Sequence, residues 1–210
     1  MLSRVTWWRL QAGCAALLLA SCPVPPPSAP PAPAPPSRVE PPPAPEGPCR
    51  RIVGIEIRKR ERSLRARCDN GPLIELTVAL GRDPVGPKQR AGDSRTPEGS
   101  YRISGPPQPS RFHLFIPIDY PAVEDANAAQ AAGLLSAEDH RRILEAHARG
   151  ETPPTDTPLG GDLGLHGEGE RWRGDSPHLD WTYGCVALSD SGIDFLAEHA
   201  AIGTPVRIEP

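Results

Sequence analysis

Thr182-Tyr183-Gly184-Cys185-Val186-Ala187-Leu188 places a cysteine where a glycine-containing turn runs into a short apolar strand. Leu163-Gly164-Leu165-His166-Gly167 sets a histidine at a similar join. Outward from these two, short apolar runs recur between turn-forming stretches. Ile52 to Ile57 and Leu64 to Arg67 flank the charged turn Lys59-Arg60-Glu61-Arg62. Leu73 to Leu80, Tyr101 to Ile103, Phe112 to Ile118 and Val206 to Ile208 follow. Many short strands separated by turns imply a mainly β fold, a sandwich or barrel-like sheet arrangement, not βαβ units. Residues 81–99, dense in Gly, Pro, Asp and Lys, read as loop.

Three segments read as helical. Ala122 to Ala132 is alanine-rich and stops at Gly133; Ser136-Ala137-Glu138-Asp139 resembles a capping box for a helix running to Arg149 before Gly150; Ser191 with Asp194 opens a helix through Ala200. Residues 119–160 thus form a helical insertion before the strand that carries His166. It reads either as a lid or as a surface hairpin of helices.

A free cysteine needs a base to become a thiolate at neutral pH, and histidine is the usual partner. Cys185 and His166 both lie at strand-to-turn joins, from which both can project into one cleft. Gly184 lets main-chain N–H groups approach an oxyanion, the large electrostatic contribution in acyl transfer. Against that, a lone cysteine is usually a small buried apolar residue and a lone histidine usually structural, so spacing alone leaves both readings open. Zinc ligation by Cys185, His166 and His178 is the rival chemistry. The chain has no CxxC or HxxxH, and no metal or cofactor is expected.

Arg4 and Arg9 open the chain, no acidic residue precedes Glu40, and Ala15 to Ala20 is an apolar run ending at Ser21-Cys22. Residues 1–21 therefore read as a secretory signal, too short to span a bilayer permanently. Leu19-Ala20-Ser21-Cys22 resembles the lipobox of bacterial lipoproteins, in which the cysteine is lipidated and becomes the new N-terminus. The alternative is ordinary cleavage near Ala29. Of the 29 prolines, 14 fall between Pro23 and Pro48. That Pro/Ala-rich stretch has little to bury and reads as an extended linker, able to span roughly 80 Å. The domain organisation expected is a signal (1–21), a lipidated Cys22 with its linker (22–48), and one folded domain (49–210). The expected location is the cell envelope or periplasm, membrane-anchored.

Export favours disulfides, and three cysteines remain in the folded part. Folding the 52–67 hairpin brings Cys49 and Cys68 roughly opposite each other, so that pair is the expected bridge and Cys185 the free thiol. Formal charge is −3 for the whole chain, and loss of Arg4 and Arg9 makes it more negative. Eight basic residues cluster between Arg50 and Arg67 and read as a solvated hairpin face, with weak contact to anionic lipid or polymer as the alternative. Nucleic acid is not an expected partner.

His166, a gap of fifteen residues, then Thr182-Tyr183-Gly184-Cys185-Val186 resembles the signature of the L,D-transpeptidase (YkuD-type) catalytic domain. Gly92-Asp93-Ser94-Arg95-Thr96-Pro97-Glu98-Gly99 resembles that domain's Thr-Pro-x-Gly segment, and Gly203-Thr204-Pro205-Val206 its close. The resemblance implies a cysteine acyltransferase acting on peptidoglycan stem peptides in cell-wall synthesis and cell-shape control, as a monomer without cofactor. Hydrolysis of the same linkages is the alternative, as is a non-enzymatic lipoprotein bridging envelope and wall. It implies Cys185 as nucleophile and His166 as its base, oriented by a main-chain carbonyl near Gly167. Asp162, Glu168 and Asp180 are the fallback carboxylates. Oxyanion donors would be the N–H groups of Cys185, Gly184 and Tyr183, with Thr182 beside them. Two departures bear on acceptor choice. Tyr183 stands where many relatives carry His, and Ala187 where Arg or Asn commonly follows. Trp172, Arg173 and Trp181 are expected at the cleft, Trp181 equally as packing. A papain-like peptidase would place Cys before His, the reverse of the order here.

Overall fold

A computed structural model of the chain describes residues 48–172 and 179–210, with backbone only at 171 and 172. The expected signal, Cys22 and most of the linker lie outside the described residues, as do Arg173, His178 and the side chain of Trp172.

Among the described residues nine strands and four helices follow one another: β1 Ile52–Arg58, β2 Ser63–Cys68, β3 Leu73–Thr77, β4 Gly99–Arg102, β5 Gln108–Ser110, β6 His113–Pro117, α1 Val123–Ala131, α2 Ala137–Arg149, β7 Gly164–His166, α3 Gly169–Trp172, β8 Val186–Ala187, α4 Asp190–His199 and β9 Pro205–Glu209. They form a five-stranded sheet, β3-β2-β1-β9-β4, and a four-stranded sheet, β5-β6-β7-β8. The fold is mainly β, and one core is shared by both sheets and α4, with Ile57, Leu64, Ile116, Leu165, Leu188 and Ile193 fully buried.

The β1–β2 hairpin shows how residue pattern becomes register. Ile52, Ile55 and Ile57 are all buried, which strict alternation forbids. The pairing runs Ile52↔Cys68 and then Gly54↔Arg67, so β1 carries one extra residue there. That bulge returns both isoleucines to the core face. Cys49 and Cys68 are joined by a disulfide at the open end, with Cα atoms 5.4 Å apart.

The hairpin's basic face is not wholly solvated. Lys59 is 2% exposed, and its ammonium donates to the Gly86 carbonyl (2.6 Å), the Thr96 carbonyl (2.9 Å) and Glu98 Oε1 (2.8 Å). Three acceptors match its three donors, which is how a buried ammonium avoids an uncompensated charge. The loop 81–99 is thereby pinned to the first sheet. Lys88, also buried, donates to Asp93 Oδ1 at 2.7 Å, while Asp93 Oδ2 accepts the Gln89 and Arg90 N–H groups.

Beyond Thr77 the chain changes sheets. Ala79 exchanges main-chain hydrogen bonds with Ala187 at 2.8 and 2.9 Å, so the apolar run to Leu80 serves two sheets. The insertion folds as expected locally. Ser136 accepts the Asp139 N–H, and Gly150 closes α2 with φ 70. It has its own small core of Ala126, Ala129, Leu135, Ile143 and Leu159. The helix after Cys185 starts earlier than Ser191 predicts. Ser189 is its cap, accepting the Gly192 N–H.

Candidate active site

β7 and β8 run parallel, with Leu165 opposite Val186 and His166 opposite Ala187. His166 therefore ends one strand while Cys185 immediately precedes its neighbour. Both line a cavity of about 710 Å³, together with Arg82, Arg111, Phe112, Trp181 and Tyr183 among others. The turn before the cysteine must be glycine. Gly184 has φ 130, and a Cβ there would sit 2.7 Å from the Arg95 carbonyl oxygen.

His166 is 3% exposed. Its Nδ1 donates to the carbonyl of Gly167 at 2.6 Å. A carbonyl only accepts, so the proton is on Nδ1 and Nε2 keeps its lone pair. The ring lies in an aromatic slot. Phe112 stacks on it at 4.6 Å and 23°, and Trp181 meets it edge-on at 5.4 Å. Burial pushes the imidazole pKa below its ordinary value and the nearby Arg111 charge adds to that, while the Gly167 bond works the other way.

Cys185 is half-buried and is the free cysteine of the described residues. Its thiol faces the Asp162 carbonyl at 3.8 Å. Burial pushes the thiol up to about 11, with the Asp162 charge adding to the rise and Gly164 and Lys88 opposing it. Both shifts favour the neutral thiol and the neutral imidazole over an ion pair.

Thr182 organises the turn. Its hydroxyl donates to the Cys185 carbonyl at 2.7 Å and accepts the Gly184 N–H at 3.1 Å. The Gly184 N–H, expected among the oxyanion donors, is here engaged by Thr182. The N–H groups of Tyr183 and Cys185 make no hydrogen bond to the described residues. Asp180 is no triad member either, since it accepts from Arg62 (2.6 Å) and the Leu80 N–H (3.0 Å) and pins the hairpin turn. Asp162 offers the thiol its carbonyl, and Glu168 is buried in the cavity wall.

The family model described as YkuD, the L,D-transpeptidase catalytic domain, matches residues 53–208. The chain belongs to this family. Solved structures similar to this YkuD-family chain include an L,D-transpeptidase from Mycobacterium smegmatis, at 12% identity and TM-score 0.45 over 76% of this chain and 59% of that one. A Bdellovibrio bacteriovorus protein is similar at 23% identity and TM-score 0.44, over 76% of this chain and 48% of the other. A mutant L,D-transpeptidase of Enterococcus faecium is similar at 13% and 0.43, over 76% and 50%. The chain thus spans 48 to 59% of the length of these three. No curated protein matches it significantly.

Five cavity residues escaped the sequence reading: Arg82, Arg111, Phe112, Phe115 and Glu170. Arg82 looks like any loop arginine, and Phe112 like any strand residue, because their placement depends on long-range pairing. Trp181 both packs against Ala79 and Ala187 and lines the cavity. None of the residues lining this cavity comes from 119–160. Among the described residues no group of His, Cys, Asp and Glu could hold a metal ion.

Proposed function

We propose that this YkuD-family chain is an exported, lipid-anchored L,D-transpeptidase that acts on peptidoglycan stem peptides through a thioester on Cys185. One observation carries the reading: His166 and Cys185 share a cavity, and the Gly167 bond leaves Nε2 of His166 as the ring's proton acceptor. In the first half-reaction the Cys185 sulfur attacks the carbonyl between an L- and a D-centre, and its proton passes to Nε2 of His166. The oxyanion takes the N–H groups of Cys185 and Tyr183. The C–N bond then breaks, the imidazolium protonates the departing D-amino acid, and an acyl-thioester remains. An acceptor amine, such as that of a diaminopimelate side chain, attacks next. It gives its proton to His166, and the thiol is restored. With water as acceptor the same steps give hydrolysis.

Preorganisation supports this path more than resting ionisation does. A thiol pushed up to about 11 is a poor spontaneous nucleophile, so the proton must leave as the carbon–sulfur bond forms. A neutral histidine with its lone pair exposed to the cavity is suited to that. The envelope location and the anchor rest on residues 1–48: lipidated Cys22 would hold the enzyme at a membrane while the proline-rich linker lets it reach the wall. Mass spectrometry of the products formed from defined tetrapeptide muropeptides tests the activity. Cross-linked dimers with loss of D-Ala are expected, and an unchanged substrate contradicts the reading. Mature protein that partitions with membranes and carries diacylglycerol on Cys22 is expected. Soluble protein starting beyond residue 22 contradicts the anchor.

A further inference from the structure

Arg82 is fastened to the turn that carries Cys185 without a carboxylate taking part. Its main-chain N–H donates to the Thr182 carbonyl at 3.1 Å. Its side-chain Nε donates to the Trp181 carbonyl at 3.2 Å and Nη1 to the Tyr183 hydroxyl at 3.2 Å. The guanidinium lies over the Tyr183 ring, 4.5 Å from its centroid. Arginines on neighbouring segments are neutralised: Arg62 by Asp180 at 2.6 Å and Arg95 by Asp83 at 2.8 Å. Arg82 forms no ion pair among the described residues. A guanidinium has five N–H donors in a rigid fork. Two are engaged here by neutral acceptors, the Tyr183 ring lies beneath the group, and Nη2 makes no hydrogen bond among the described residues, on a side chain that lines the cavity holding the thiol.

An arginine oriented by neutral groups, with full charge and an open edge, is preorganised for an anion that arrives from outside. Planar carboxylates fit that edge bidentately. We propose that Arg82 is a specificity-determining residue that reads a substrate carboxylate beside the scissile bond. The proposal rests on the peptidoglycan reading above. Two carboxylates in such a stem lie close enough: the α-carboxylate of the departing D-amino acid, and the side-chain carboxylate of the diamino acid that supplies the carbonyl. Tyr183 has a dual part in this, as the stacking platform for Arg82 and as a neighbour of Cys185.

The test compares three tetrapeptide-stem muropeptides: the free acid, one amidated at its C-terminus, and one amidated on the diamino-acid side chain. kcat/KM is measured for the native protein, Arg82→Gln and Arg82→Lys, and affinity is measured on the Cys185→Ala background, where no turnover is needed. The native protein should lose roughly 10- to 100-fold on one of the two amides, the size expected of a charge-assisted hydrogen bond. Which amide suffers identifies the carboxylate. Arg82→Gln should collapse the acid-to-amide ratio towards one, and Arg82→Lys should keep part of it. Native indifference to both amides, or an Arg82→Gln loss equal on all three substrates, would overturn the proposal. Discrimination in binding with no native turnover would leave Arg82 standing and sink the transpeptidase reading instead.

Discussion

The ring of Phe112 stacks on that of His166, centroids 4.6 Å apart and planes 23° from parallel. It covers one imidazole face, and burial is the main reason the His166 pKa lies below its ordinary value. Because the neutral ring is the base, a lowered pKa keeps it competent as pH falls below about 6.5. Phe112→Leu, which keeps the apolar fill but admits water to that face, should raise the His166 pKa and move the acid limb of kcat/KM to higher pH. An NMR titration of the His166 ring measures the shift directly. An unchanged titration with unchanged activity would show that Phe112 only fills space.

A second titration concerns the helical insertion. Asp125 accepts the Ala122 N–H at 2.8 Å and the Tyr101 hydroxyl at 3.1 Å, tying the start of α1 to β4. Burial, the largest influence, nevertheless pushes its pKa up to about 6. A carboxyl whose folded pKa exceeds its unfolded value stabilises the fold most fully below the unfolded value, near 4, and loses that contribution as pH rises through about 6. Denaturant unfolding from pH 4 to pH 7 should therefore show a decline, of order 2 kcal/mol, that Asp125→Asn lacks. Parallel curves for the two proteins would refute this.

The Cys49–Cys68 bridge closes a sequence separation of 19 residues across the open end of the hairpin. Chain-entropy arguments give about 3 kcal/mol for a loop of that length. The double variant Cys49→Ala/Cys68→Ala should unfold at lower denaturant by that order while Cys185 stays alkylatable. Non-reducing peptide maps of active protein should link 49 to 68, and a bridge that included Cys185 would contradict the account.

What the sequence made legible was local. Alternating apolar runs located the β1–β2 hairpin, and Ser136 and Gly150 bracketed α2, because strand pattern and helix caps act over a few residues. The shortest elements were harder. β5, Gln108-Pro109-Ser110, has no apolar pattern and exists through pairing with β6. The burial of Lys59 was hidden because its three acceptors lie in a loop 27 to 39 residues away. The candidate site divided along the same line. Cys185 and His166 carry readable chemistry, whereas the use of the Gly184 N–H by Thr182, the slot around His166 and the clamp on Arg82 arise only when the two strands and the 81–99 loop are folded together.

The central claim is that Cys185 becomes acylated with His166 as its base, and intact-protein mass spectrometry tests it most directly. On brief incubation with a tetrapeptide-stem muropeptide, the native protein should gain the mass of the stem less the departing D-amino acid, and hydroxylamine should remove the adduct as expected of a thioester. Cys185→Ala should show neither adduct nor turnover. His166→Ala should acylate far more slowly, and recover part of the loss as pH is raised towards 11, where the thiol ionises without its base. Turnover that survives Cys185→Ala, or an adduct that forms at the native rate in His166→Ala, would contradict the account.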